Sequence, residues 1–171
     1  MLDSFFKFMA LGFKLRDFFS PRDNIIADIG IKPGDSVLDY GCGPGSYTLP
    51  IYRLVGESGK IYAADIHPLA IKHIKTLSQK KGLANVTAIL TGSGTGLTDS
   101  CIAVVILYDI LHGLDEAEPI LKEIYRVMKP QGILSVNDHH LKEEQIIRRV
   151  AQFGFFKFVR KTRHAISFGK I

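Results

Sequence analysis

Two cysteines, Cys42 and Cys101, are all that the 171 residues carry. That is too few for a disulfide framework, so a reducing compartment is the expected setting. No apolar run approaches the roughly 18 residues that a membrane-spanning helix requires. The phenylalanine-rich N-terminus is broken by Lys7, Lys14, Arg16 and Asp17 and has no small-residue cleavage site, so it reads as neither a signal peptide nor a transmembrane helix. Internal repeats, low-complexity tracts and linker-like shifts in composition are also missing. The expectation is a cytoplasmic protein of one domain, residues 1–171, whose 46% hydrophobic content can bury a sizeable core.

An acidic balance is absent as well. Net charge is +5, and residues 141–171 hold eight Lys or Arg against Glu143 and Glu144, leaving the rest of the chain about neutral. A basic C-terminal face suits plain solvated surface, or contact with nucleic acid, anionic lipid or an acidic substrate.

What the chain does contain is organised in alternation. Leu2, Phe5, Met9 and Phe13 share one helical stripe, which suits packing against the body, a lid over an apolar substrate, or a membrane-surface helix. Ser20-Pro21 ends that pattern, and Ile25, Ile26 and Ile29 suggest a short amphipathic helix that stops at Gly30. Residues 1–30 thus form an N-terminal helical segment, and residues 31–171 a core.

In the core, SVLDY leads into a helix from about Ser46 to Val55, then KIYAAD into a helix from Pro68 with Ile71, Ile74 and Leu77 on its inner stripe and Gly82 as its stop. VTAIL follows, and then CIAVVILY, apolar almost throughout, as a strand covered on both faces must be. Asp115 is placed to cap a helix carrying Ile120, Leu121, Ile124, Val127 and Met128, ended by Lys129-Pro130-Gln131-Gly132. GILSVND, a helix with Ile146, Ile147, Val150 and Phe153, and two short strands near 156–162 and 165–170 complete the chain. The pattern predicts an α/β fold with a mostly parallel, doubly wound sheet.

Ligands of such sheets bind beyond the carboxyl ends of the strands. There stand Asp39, Asp65, the 91–96 loop, Tyr108 to His112, and Asp138 to His140. Gly41, Gly43 and Gly45 alternate through the turn after the first strand, where a ligand can lie on bare main chain at a helix N-terminus. A nicotinamide dinucleotide is one reading, with Asp65 as the ribose-binding acid. Its third glycine, however, falls on Ser46, and Asp39 would face a pyrophosphate with like charge. The same carboxylate attracts a ligand bearing an ammonium and a sulfonium, so the electrostatics favour a cationic nucleoside.

The run Asp39-x-Gly41-x-Gly43-x-Gly45, Asp65 in IYAADI, ILYDILHGL and the closing IYRVMKPQGIL together resemble the class I S-adenosylmethionine-dependent methyltransferases. The likeness covers about residues 30–138 and is closest to the small-molecule branch that includes the ubiquinone and menaquinone methyltransferases. It implies a Rossmann-like seven-stranded sheet with an antiparallel last strand and helices on both faces. It also implies S-adenosylmethionine as cofactor. Asp39 would lie near the methionine amino group, and the Tyr40 and Gly41 backbone would line the cofactor. Asp65 would accept from both ribose hydroxyls, and Ile66 would flank the adenine. Ser93, with Gly94 beside it, stands where family members usually place an acid, and Tyr108 borders the site from the fourth strand.

Methyl transfer from a sulfonium is an in-line displacement that needs no acid, only alignment and, for some nucleophiles, a base. His112 is the first candidate base, with Asp109 beside it to bind substrate or position the methionine end. Asp138, His139 and His140 raise a metal site, but neighbours on an extended strand face opposite sides and no spaced second pair completes a ligand set. No metal is expected. The Asn-Pro-Pro-Tyr type sequence of base-modifying relatives is absent after the fourth strand, where Tyr108-Asp109-Ile110-Leu111 stands instead. A small-molecule acceptor, apolar or aromatic, is the leading expectation. A non-catalytic protein that binds S-adenosylmethionine, and an RNA methyltransferase using the basic C-terminus, are the alternatives.

Overall fold

A computed structural model describes Gly12 and residues 22–171. The helical stripe and lid expected before residue 22 lie outside the described residues, Gly12 apart. Strands β1 (Ser36–Tyr40), β2 (Lys60–Asp65), β3 (Val86–Leu90), β4 (Ile102–Tyr108), β5 (Met128–Asn137), β6 (Phe156–Lys161) and β7 (Ile166–Lys170) form one sheet in the order β3-β2-β1-β4-β5-β7-β6. Pairing is parallel from β3 through β5, and β7 runs antiparallel to both β5 and β6. Strand order reverses between β1 and β4, and beyond their carboxyl ends lies the crevice that such sheets use for ligands.

The period-two alternation of the central strands sorts their side chains into two cores. Val37, Val104 and Ile106 face Ile26, Ile51 and Val55, carried by helices α1 (Asp23–Ile26) and α2 (Thr48–Val55). Leu38, Val105 and Leu107 face Leu121, Ile124 and Val150, carried by α4 (Glu118–Val127) and α5 (Glu143–Ala151). Helix α3 (Pro68–Lys81) packs Ile74 against Ala63 and ends at Gly82, whose φ of 66° is the left-handed stop expected there.

Two local expectations are corrected. Helix α4 begins only at Glu118 with Pro119 in its first turn, so Asp115 stands outside it and makes no cap. Helix α4 then passes directly into β5 at Met128, and Lys129 to Gly132 bulge out of the ladder, since Met128 pairs with Ile102 but Ile133 pairs with Val104. The turn chemistry of Lys-Pro-Gln-Gly is used inside a strand because the register on both sides of the bulge is already held by β4.

Gly59 shows how tightly β2 is approached. A Cβ there would lie 2.4 Å from Val55 Cβ and 2.8 Å from the Asp35 carbonyl, whereas one on Gly94 would meet nothing within 4 Å. Gly59→Ala is therefore expected to lower stability by about 1–3 kcal/mol in urea unfolding, with Gly94→Ala within about 0.5 kcal/mol of the parent.

Candidate functional site

At the end of β1 the chain enters the glycine turn with the amides of Gly41 and Cys42 both donating to the Ala64 carbonyl, at 2.8 and 3.0 Å. Asp65 then grips the turn from β2: its Oδ2 accepts from the Gly43 amide at 2.8 Å and its Oδ1 from the His67 amide at 2.8 Å. Each oxygen keeps one lone pair for a further donor. Helix α3 is capped not by Asp65 but by His67, whose Nδ1 accepts from the Leu69 amide. Gly41 needs to be glycine twice over, because its φ is 83° and a Cβ would lie 2.8 Å from Ile110 Cδ1 and Cγ2. That contact also brings the segment after β4 against the turn.

Asp39 is 2% exposed, and its Oδ2 has no hydrogen-bond partner among the described residues. Burial, and secondarily the charge of Asp65, push its carboxyl up to about 7. Thr48 Oγ1, at the start of α2, is likewise buried without a partner. Orphaned buried polar atoms are uncommon and costly, and two of the four among the described residues stand beside the glycine turn, where a ligand could pair with them.

Beyond β3, the Tyr40 hydroxyl donates to the Ser93 carbonyl at 2.9 Å and lies 3.3 Å from that of Gly92. Glu123 on α4 holds the same loop, taking the Thr95 amide at 2.7 Å and hydroxyl at 2.6 Å, while Arg126 bonds it and keeps its carboxyl down at about 2. Ser93 and Gly94 are exposed on this anchored loop. Ile66 is 74% exposed and stands beside this loop, its Cδ1 3.7 Å from where a Cβ on Gly92 would lie. An apolar plate facing bare main chain, next to a carboxylate with free lone pairs, fits an adenosine. With the unpartnered Asp39 oxygen able to accept from an ammonium, the residues present fit S-adenosylmethionine.

Tyr108 is turned inward: its hydroxyl bonds Ser135 Oγ at 2.8 Å and its ring meets Tyr47 edge-on at 5.1 Å. The two loops beyond β4 and β5 are joined by crossed pairs. Asp109, at φ 56°, takes the amide and Nδ1 of His139 at 3.1 and 2.6 Å. Asp138 takes the amide and Nδ1 of His112 at 2.9 and 3.0 Å, and the His140 amide at 3.0 Å. Burial would raise the Asp138 carboxyl, but these donors outweigh it and hold it below the usual range. Among the described residues, no group of three or more His, Cys, Asp or Glu is gathered to hold a metal ion.

Sequence reasoning missed the Tyr40 hydroxyl, the Ile110 contact and the Asp138 carboxylate as a partner for His112. Spacing carries no signal for any of them, because each depends on a loop folding back across a strand end.

The profile of the family described as "Methyltransferase domain" matches residues 31–163. A ubiquinone/menaquinone biosynthesis C-methyltransferase of a Shewanella species is 28% identical over 140 residues, covering 81% of this chain. The chain spans 56% of that relative's length. A solved S-adenosylmethionine-dependent methyltransferase from Aquifex aeolicus superposes with a TM-score of 0.78 at 24% identity, covering 94% of this chain and 96% of that one. The cyclase SpnF superposes at 0.70 and 19% identity, covering 81% of this chain and 56% of that one. These likenesses to solved structures establish the fold.

The buried Asp39 sets a pH dependence of stability. Its native value lies above the unfolded one of 3.8, so the folded state keeps the proton longer and stability is lost as pH rises toward and past about 7. Asp39→Asn is expected to gain about 2–3 kcal/mol on the parent between pH 5 and pH 8, read from urea unfolding of the ligand-free proteins. A gap between the two that does not change with pH would contradict the burial cost.

Proposed function

We propose, on the premise that this chain belongs to the Methyltransferase domain family, that it transfers a methyl group from S-adenosylmethionine to a small-molecule acceptor at the carboxyl ends of β4 and β5. The observation that carries this reading is the buried Asp39 oxygen beside the glycine turn, which has no hydrogen-bond partner among the described residues. In this reading the Asp39 carboxylate faces the ammonium of the methionine part, and rising pH strengthens binding as the carboxyl ionises. The free lone pairs of Asp65 take the ribose hydroxyls, Ile66 covers the adenine, and Ser93 and Gly94 close the far side. Gly43, where a Cβ would meet nothing within 4 Å, leaves the main chain open, Gly41 and Gly45 make room for Ile110 and Ile74, and Tyr40 ties that wall to the loop. Tyr108 supports the site from behind through Ser135 and Tyr47. When bound, S-adenosylmethionine supplies an electrophilic methyl carbon whose leaving group departs as a neutral thioether. The chain itself has to align the acceptor and remove a proton where the acceptor carries one, and His112 and Asp109 stand where that work is done.

The Shewanella relatives are named as C-methyltransferases of ubiquinone and menaquinone biosynthesis, which supports a quinone-related acceptor. A nucleic-acid acceptor finds less support. Arg149 bonds the Leu111 carbonyl, Arg160 those of Asp28 and Ile29, and Lys170 that of Met128 while lying 4.2 Å over the Tyr125 ring, so much of the basic C-terminus holds the fold together.

Calorimetric titration with S-adenosylhomocysteine tests the assignment. The parent protein should bind, and Asp65→Ala should weaken binding about 100-fold while keeping a native circular-dichroism spectrum, as expected for losing two charge-assisted hydrogen bonds. A parent that does not bind, or a folded variant that binds equally well, would defeat it. Tight binding with no demethylated cofactor across a broad acceptor panel would identify a binding module instead of an enzyme.

A further inference from the structure

The loops beyond β4 and β5 contain more than two candidate side chains: they contain one imidazole whose orientation is set. Asp138 has a fully buried side chain, and the partners it shows are amides and the His112 ring. An ionised carboxylate only accepts, so the proton of a neutral His112 ring must sit on Nδ1, which leaves Nε2 with an open lone pair. The same Asp138 oxygen takes both the amide and the ring of His112, at 2.9 and 3.0 Å, so backbone and side chain are aligned from one point. The His140 ring lies 4.2 Å away, centre to centre, tilted by 43°, and restricts the ring from one side. Arg149 holds the Leu111 carbonyl at 2.9 Å and pins the 3₁₀ turn (Leu111–Gly113) that carries His112. The His112 side chain is nevertheless 36% exposed, so an acceptor can reach it.

The Asp109–His139 pair has similar connectivity but a weaker setting. His139 is 60% exposed and Asp109 26%, so water screens the pair and competes for its bonds. His112 also follows Ile110, the residue packed on Gly41, which puts its turn beside the glycine wall.

We infer that His112 is the general base of the transfer, that Asp138 is its positioning residue, and that the acceptor reacts through a hydroxyl, as a phenol or an enol. The inference rests on the methyl-transfer reading above. In the step, His112 Nε2 takes the hydroxyl proton as the acceptor's electron pair forms its bond to the methyl carbon, at oxygen or at the conjugated ring carbon. The methyl–sulfur pair stays on the departing sulfur, and where carbon is methylated the displaced ring proton leaves to water. The imidazolium is then opposed by the Asp138 charge until it loses its proton to solvent. A nucleophile with no proton to lose, such as a thioether or tertiary amine, would have no use for the arrangement.

Nitrogen-detected imidazole NMR on the full, ligand-free chain gives the first test, with His112→Gln used for assignment. The Nδ1–H tautomer is expected for His112, and Asp138→Asn should change it. An Nε2–H tautomer in the parent overturns the inference. The second test compares acceptors that differ only in whether their hydroxyl is already ionised, with S-adenosylmethionine present. His112→Gln should lose about 100-fold or more on hydroquinone but less than about 10-fold on para-nitrophenol near pH 8, where that acceptor needs no base. Equal losses on both would reduce His112 to a structural role and overturn the inference, as would a parent that methylates only a thioether. S-adenosylhomocysteine affinity should stay within about 3-fold in both variants. A parent that fails to bind it defeats the methyl-transfer reading and the base role with it, while the tautomer, read without ligand, separately reports whether Asp138 orients His112.

Discussion

Asp65 stands at the end of β2 and commits one carboxylate oxygen to the Gly43 amide and the other to the His67 amide, so the turn after β1 and the start of α3 meet at one point. Hydrogen bonds to a charged acceptor are among the stronger ones available, and here they hold main chain that glycine would otherwise leave loose. The rest of the crevice is arranged on that turn. Ile110 packs on Gly41, Tyr40 crosses to the loop after β3, and α2 begins where the turn ends. One carboxylate thus shapes the wall and still keeps a lone pair on each oxygen.

Asp39 has the opposite character. It is buried without compensation for its Oδ2, an arrangement that costs stability at neutral pH. Glu123, equally an acid but bonded by Arg126 and Thr95, is held low and spends its charge on anchoring a loop. The contrast separates a carboxylate engaged in the structure from one whose buried Oδ2 is left without a partner. Asp138 falls between them, buried like Asp39 but fully engaged, and its engagement is with an imidazole at the edge of the crevice.

Much of this architecture is legible from residue pattern. The unbroken apolar run of β4 requires cover on both faces, and helices from both sides provide it. The two short final strands pair with each other, joined through Arg163 and His164 between Thr162 and Ala165. Pattern was a poor guide where chain geometry overrode local chemistry. Asp115 has the right side chain for a cap, yet the 3₁₀ turn after β4 uses up chain and Pro119 sets the helix start further on. Lys129 to Gly132 has the composition of a turn between elements, yet β4 pairs with both ends of it and makes it a bulge.

The sequence by itself determined the fold class, the glycine turn and the acids at the ends of β1 and β2, because these follow from periodicity and from conformations that few residue types can adopt. Only the tertiary structure decided which of those acids are already occupied, that the Tyr108 hydroxyl belongs to Ser135, and that His112 faces Asp138 across 26 residues of chain. Such pairings depend on distances between strand ends, and a distance between strand ends exists only once the sheet has assembled.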